Sequence, residues 1–195
     1  MVSLGGSFFT KDGILPDEAL LKKQIYEEMK AFVTTGLSKK VSGLLEVLRM
    51  ECCVESLPIQ EDRIHVENGT LYLDGSFSEE KAFCRNRLHV RYNPNAGEPV
   101  QWKAFLSQLL QEEDILTLQE FFGYCLIPSN KGQRMMVIKG NGGEGKSQIG
   151  AVLGALLGSN MKDGSIGKIS ENRFARADLE HILLCVDDDM RMEAL

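Results

Sequence analysis

The sequence has no run approaching the roughly 20 apolar residues that a bilayer-spanning helix needs. Its start, MVSLGGSFFTKDG, also lacks the basic stretch and long apolar segment of a secretory leader. No membrane association is expected, and the chain reads as cytoplasmic. Cysteine is scarce and unpatterned: Cys52, Cys53, Cys84, Cys125 and Cys185 are odd in number, and no two form a CxxC pair. Neither a disulfide framework nor a zinc site is suggested, and reduced, unused thiols are expected. Net positive charge is missing too, at −6. Phosphate contacts need clustered Lys and Arg, so a free-standing nucleic-acid binder is disfavoured and any DNA contact must be local or assembled. Repeats and low-complexity tracts are absent.

What is present is the composition of an ordinary globular protein, 195 residues with 43% hydrophobic and 26% charged residues. That is enough for one domain or two small ones with a real core. From Pro16 to about Thr35, Leu21, Ile25, Met29 and Val33 recur every four positions among Glu and Lys, which predicts an amphipathic helix with Pro16 in its first turn. A second helix is expected from near Ser38, with Val41, Leu44, Leu45 and Leu48 on one side, ending before Pro58.

The period then falls to two. In RIHVENGTLYLDG, Ile64 and Val66 alternate with polar neighbours, Asn68 and Gly69 suit a tight turn of positive φ, and Leu71 and Leu73 resume the alternation. A strand over RLHVRY follows. The longer segment CRNRLHVRY carries a basic cluster, Arg85, Arg87 and Arg91 beside His89, on the face opposite Leu88, Val90 and Tyr92, readable as a solvated strand face or as a local DNA contact. Helical spacing returns between Trp102 and Leu126, with Trp102, Phe105, Leu109 and Leu110 in one run and Ile115, Leu118, Phe121 and Phe122 in another. The loop IPSNKGQ reads as a linker and places a boundary near residue 130.

The segment RMMVIKGNGGEGKSQIGAVLGALLG holds the pattern GxxxxGK[ST], spanning Gly140, Asn141, Gly142, Gly143, Glu144, Gly145, Lys146 and Ser147. Glycines let backbone N–H groups turn inward as an anion-binding nest that side chains would obstruct. Lys146 suits the β- and γ-phosphates of ATP, Ser147 suits Mg²⁺, and the next helix aims its positive end at the same place. The context supports this: Met135–Ile138 predicts a buried parallel strand before the loop, and Ile149, Val152, Leu153, Leu156 and Leu157 predict a helix with an apolar face after it.

A phosphate-binding loop of this kind needs a metal-positioning acid at the end of a neighbouring strand. HILLCVDDDM supplies one, an apolar run Ile182–Val186 that ends in Asp187, Asp188 and Asp189. In this Walker B pattern Asp187 would hold Mg²⁺ through water, Asp188 would act as general base on the attacking water, and Asp189 would be solvated.

Taken together, ENGTLYLDG, NRLHVRYNPNA, Trp102 with its helices, LQEFFGYCL, and GNGGEGKS followed by NRFARADLEHILLCVDDD resemble the phage and plasmid primase/helicase family. The resemblance runs from about Leu44 onward. It implies an α/β fold: a mainly helical domain with a small β-hairpin over residues 1–130, then the first part of a superfamily 3, AAA+ type P-loop ATPase with a parallel sheet over residues 131–195. It also implies ATP and Mg²⁺ as cofactors, a homo-oligomeric, usually hexameric ring on DNA, and a replicative helicase acting in the bacterial host of a phage or mobile element.

Two departures from the family stand out. Glu144 occupies a position where the family often has Asn. The sensor asparagine, pore-loop lysine and arginine finger are not reached before Leu195. An arginine finger is worth about 10³ to 10⁵ in rate, so ATP binding with little turnover is expected of this stretch alone. The alternative reading is a non-catalytic nucleotide-binding assembly or DNA-docking module. With so few strands in the parallel sheet, an exposed edge is expected to drive self-association. Light scattering at rising concentration checks this: mass above that of one chain is expected, and a clean monomer counts against it.

Overall fold

The computed structural model describes residues 1–15, 17–140 and 142–188, so Pro16 and the helix turn expected of it lie outside the described residues. Two compact units are formed, one from Met1–Pro58 with Lys81–Arg85, the other from Ile59–Glu80 with the residues from Asn86 onward. The loop near residue 130 that the sequence marks as a boundary lies within the second unit.

The first unit opens with an antiparallel meander that sequence periodicity does not reveal: β1 (Val2–Leu4), β2 (Ser7–Thr10) and β3 (Gly13–Ile14). Gly5 and Gly6, at φ 57° and 83°, make the two-residue turn between β1 and β2, a conformation that residues with a Cβ resist. The outer edge of β1 is closed by the chain beyond the second helix, through Ser3 N–H to the Cys52 carbonyl at 2.7 Å and Val54 N–H to the Ser3 carbonyl at 2.9 Å. Helix α1 (Glu18–Met29) begins where the Asp17 carboxylate accepts the Ala19 N–H at 2.7 Å, and it stops six residues short of Thr35. Helix α2 (Leu37–Glu51) follows Gly36. Phe8, Ile25, Val41 and Leu45 form the buried core, with Leu21, Met29 and Leu48 packed around them. Leu44, expected on the same side as Val41, faces outward at 38% exposed. Arg49 joins the two helices by pairing with Glu18 and Glu46, while its guanidinium lies 5.6 Å from the centre of the Phe8 ring.

The second unit contains the hairpin read from the sequence, β4 (Arg63–Val66) against β5 (Gly69–Tyr72), with β6 (Phe77–Ser78) added on the far side of β5. The register differs from expectation by one residue. Val66 pairs Gly69, so the turn is Glu67 and Asn68, and Asn68 has no positive φ. Gly69 is needed for a different reason: a Cβ there would lie 2.1 Å from the Ser78 carbonyl oxygen. Asn68 instead uses its side-chain amide to mimic a strand neighbour, donating to the Tyr92 carbonyl at 2.9 Å and accepting the Tyr92 N–H at 2.8 Å.

Helices α3 (Val100–Leu109) and α4 (Glu112–Tyr124) form as the apolar spacing predicts. After α5 (Lys146–Leu157) and a short 3-10 turn at Gly158–Asn160, strand β7 (Met161–Asp163) leads through α6 (Ile166–Glu171) and α7 (Arg173–Ala177) to β8 (Leu184–Val186). Strands β7 and β8 are parallel, with Met161 opposite Leu184 and Asp163 opposite Val186.

Two expected strands do not form. RLHVRY is irregular, joined to the hairpin by Leu88 N–H to the His65 carbonyl at 2.8 Å and Glu67 N–H to the Val90 carbonyl at 2.9 Å. Met135–Ile138 is likewise not a strand: among the described residues no strand pairs with it, and Met135, Val137 and Ile138 are 58%, 47% and 39% exposed. A strand persists only where neighbours take its backbone groups, and β8 is paired with β7 instead.

His65 of β4 is buried, with Nε2 2.7 Å from the Gln60 side-chain oxygen. Burial, with the nearby Arg87 and Arg63 charges, pushes its imidazole from 6.5 down to about 4. The unfolded chain therefore takes up a proton below pH 6.5 that the folded chain refuses until about pH 4. Stability is lost across that window as pH falls, by about 2 kcal/mol at pH 5. Urea unfolding at pH 7 and pH 5 measures this, and His65→Leu is expected to remove that part of the pH dependence.

Candidate nucleotide-binding site

The glycine-rich loop takes the conformation its sequence requires. Gly142, Gly143 and Gly145 have φ of 85°, 72° and 96°, a left-handed region in which any other residue is strained. Gly145 caps α5, with Lys146 as its first residue and Ser147, exposed, as its second, while the Gln148 N–H donates to the Gly145 carbonyl at 3.0 Å. Asn141 lies outside the described residues.

Gly140 answers to close packing rather than to backbone angle. A Cβ at this position would lie 2.0 Å from the Glu144 Oε2 and 2.8 Å from the Lys146 Nζ. The ammonium and carboxylate stand 3.5 Å apart over it, with side chains 26% and 41% exposed.

What holds the loop in place is the helix behind it. Ile149 of α5 is buried with Leu106 of α3 and Leu118 of α4, while Leu153 and Leu157 are buried with Leu88 and Cys125. Val152, expected on the same apolar face, is 39% exposed. A second support comes from α3, where the Phe105 ring would lie 3.0 Å from a Cβ on Gly145. Phe105 was legible in the sequence only as a core residue, because its approach to the loop depends on how α3 and α5 pack. Upstream, the chain entering the loop is tied to α4 by the Gly132 N–H donating to the Tyr124 hydroxyl at 3.1 Å.

The acidic end of the Walker B segment sits just after β8. Asp187 Oδ2 accepts the Ile166 N–H at 2.9 Å, so this carboxylate also fixes the start of α6. Asp188 is exposed, and Asp189 lies outside the described residues. Leu183 and Leu184 pack into the cluster that holds Leu153 and Leu157, which sets β8 against the same helix that carries Lys146 and Ser147. Among the described residues no group of three or more His, Cys, Asp or Glu could hold a metal ion by itself. A hard cation here would draw its oxygens from Ser147, an Asp carboxylate and the phosphates it accompanies.

No family model and no curated protein matches the chain. Among the described residues no helix is long and apolar enough to cross a membrane.

The basic cluster of the sequence does not survive as one face. Arg87 is 4% exposed and donates to the Val66 carbonyl at 2.5 Å and the Gly69 carbonyl at 3.2 Å, bracing the hairpin turn from inside. Arg91 is exposed and paired with Glu67 at 3.2 Å, and His89 is exposed. Alternation at strand spacing would have placed Arg87 with Arg91, but the segment is not a strand, so that alternation does not govern where Arg87 points.

Replacing Gly145 by Ala would combine left-handed strain with the Phe105 contact, whereas a Cβ on Gly143 meets nothing within 4 Å. Gly145→Ala is expected to destabilise by about 1–3 kcal/mol, more than Gly143→Ala. Thermal denaturation of the two variants reads the difference, and equal losses would show that Phe105 does not constrain the loop.

Proposed function

We propose that residues 140–147 bind the triphosphate of ATP together with Mg²⁺, and that the chain is the ATP-binding portion of a replicative DNA helicase of the phage primase/helicase type. The observation that supports this best is the set of left-handed glycines, Gly142, Gly143 and Gly145, just before a 12-residue helix that starts at Lys146. Backbone of this kind suits an anion, because left-handed glycines and a helix N-terminus can offer N–H groups to it beside the ammonium.

In this reading Lys146 neutralises charge on the β- and γ-phosphates, and the loop amides hold the phosphate oxygens in place. Ser147 and Asp187 are the residues suited to the cation, which supplies charge neutralisation on the phosphates when bound. Asp188, exposed two residues beyond β8, is the carboxylate assigned to orient and deprotonate water in this reading. In a full hexameric ring on DNA, the hydrolysis is coupled to strand separation. The alternative is a non-catalytic nucleotide-binding assembly or DNA-docking module, and the burial of Arg87 at 4% exposed leaves that residue unsuited to a DNA contact within it.

Titration calorimetry with ATP and Mg²⁺ tests the proposal. Lys146→Ala is expected to weaken binding about 10- to 100-fold through loss of a charged hydrogen-bond donor. Unchanged affinity in that variant would remove the basis for the assignment.

A further inference from the structure

We propose that Glu144 is a built-in competitor for the phosphate position, an acid that holds the Lys146 ammonium over Gly140 and has to move aside for a triphosphate to enter. This rests on the phosphate-binding reading of residues 140–147 and adds a regulating residue to it.

Three atoms converge on one point of the loop. The space a Gly140 Cβ would fill is bordered by Glu144 Oε2 at 2.0 Å, Lys146 Nζ at 2.8 Å and Glu144 Cδ at 3.2 Å. The carboxylate thus lies across the first glycine of the motif, beside the ammonium that would meet the β- and γ-phosphates, with 3.5 Å between the two charges. The crowding is local to this glycine: an added Cβ at Gly142 or Gly143 meets nothing within 4 Å. A carboxylate resembles a phosphate in what it offers a lysine, two acceptor oxygens bearing negative charge. The loop therefore supplies its own anion to its own lysine.

An incoming triphosphate brings several negative oxygens to the same ammonium. It cannot share that position with the Glu144 carboxylate without like-charge repulsion, so binding requires the Glu144 side chain to turn away. The cost is moderate, because both side chains are partly exposed and the pair is screened by water. Glu144→Gln keeps the size and removes the charge. It is expected to bind ATP with Mg²⁺ about two- to fivefold more tightly than the natural chain.

The experiment is calorimetry on the natural chain, Glu144→Gln and Lys146→Ala, with three probes: ATP with Mg²⁺, inorganic tripolyphosphate with Mg²⁺, and adenosine. Tighter binding of both ATP and tripolyphosphate by Glu144→Gln, by a similar factor and with no gain for adenosine, supports competition at the phosphates. If the natural chain binds ATP and Lys146→Ala loses it, but Glu144→Gln binds no more tightly or binds more weakly, the competitor role is overturned while the phosphate-binding loop stands. If neither the natural chain nor Glu144→Gln binds ATP, or Lys146→Ala binds as well as the natural chain, the loop assignment falls and the role of Glu144 falls with it.

Discussion

The buried stripe of α5 is the constraint on which the second unit depends. Ile149, Leu153 and Leu157 are at most 5% exposed, and they enter two different clusters, one with Leu106 and Leu118, the other with Leu88 and Cys125. Each such side chain contributes about 1.5–3 kcal/mol by leaving water. One helix therefore ties α3 and α4 to β7 and β8. Because the loop feeds straight into this helix, its C-terminal half inherits the helix's position, and the Phe105 ring against Gly145 restrains it from the side. The glycines themselves contribute no packing. Their role is to let the chain reach the N-terminus of α5 through left-handed angles.

Around this apolar frame, polar side chains do work that regular strands would otherwise do. Buried Asn160 donates to the Arg87 and Leu157 carbonyls, both at 3.1 Å, and accepts from Asn86 at 3.0 Å, while Asn86 also donates to the His181 carbonyl at 2.6 Å. Arg87 takes the carbonyls of the hairpin turn, and Asn68 takes both backbone groups of Tyr92. Leaving such groups buried and unpaired would cost about 1–3 kcal/mol each. With the Arg87 carbonyl and both Tyr92 backbone groups met by side chains, and Leu88 and Val90 bonded to the backbone of His65 and Glu67, residues 86–92 are held in place without becoming a strand. Leu88 and Val90 still reach the core as their apolar character requires.

These features explain which readings of the sequence held. The helices with strong apolar spacing were legible, α1, α2, α3, α4 and α5 among them, because an amphipathic face is a local property and packing only has to use it. The pairing of β4 with β5 was legible from alternation, but its turn was misplaced by one residue: Asn-Gly suggested positive φ, whereas Gly69 is required by the approach of Ser78 across the sheet. The opening meander had a signal in its paired glycines and in Asp12-Gly13, and its strands were too short for alternation to register. Met135–Ile138 looked like a buried strand on composition alone, yet a run of apolar residues cannot reveal whether a neighbour will pair with it.

The sequence by itself determined which residue types the loop offers. Glycines at 142, 143 and 145 permit the left-handed angles that the loop adopts, and Lys146 and Ser147 open the helix that follows. Tertiary structure alone decided what surrounds that loop: the Phe105 ring at Gly145, the engagement of Asp187 by the start of α6, and the burial of Arg87 behind the hairpin. It also decided that Glu144 lies across Gly140 beside Lys146, a side-chain placement that spacing does not specify. The division follows from range. Backbone angles and helix starts are fixed by neighbours in the chain, whereas burial, pairing and the partner of a charge depend on residues brought close only by the packed core.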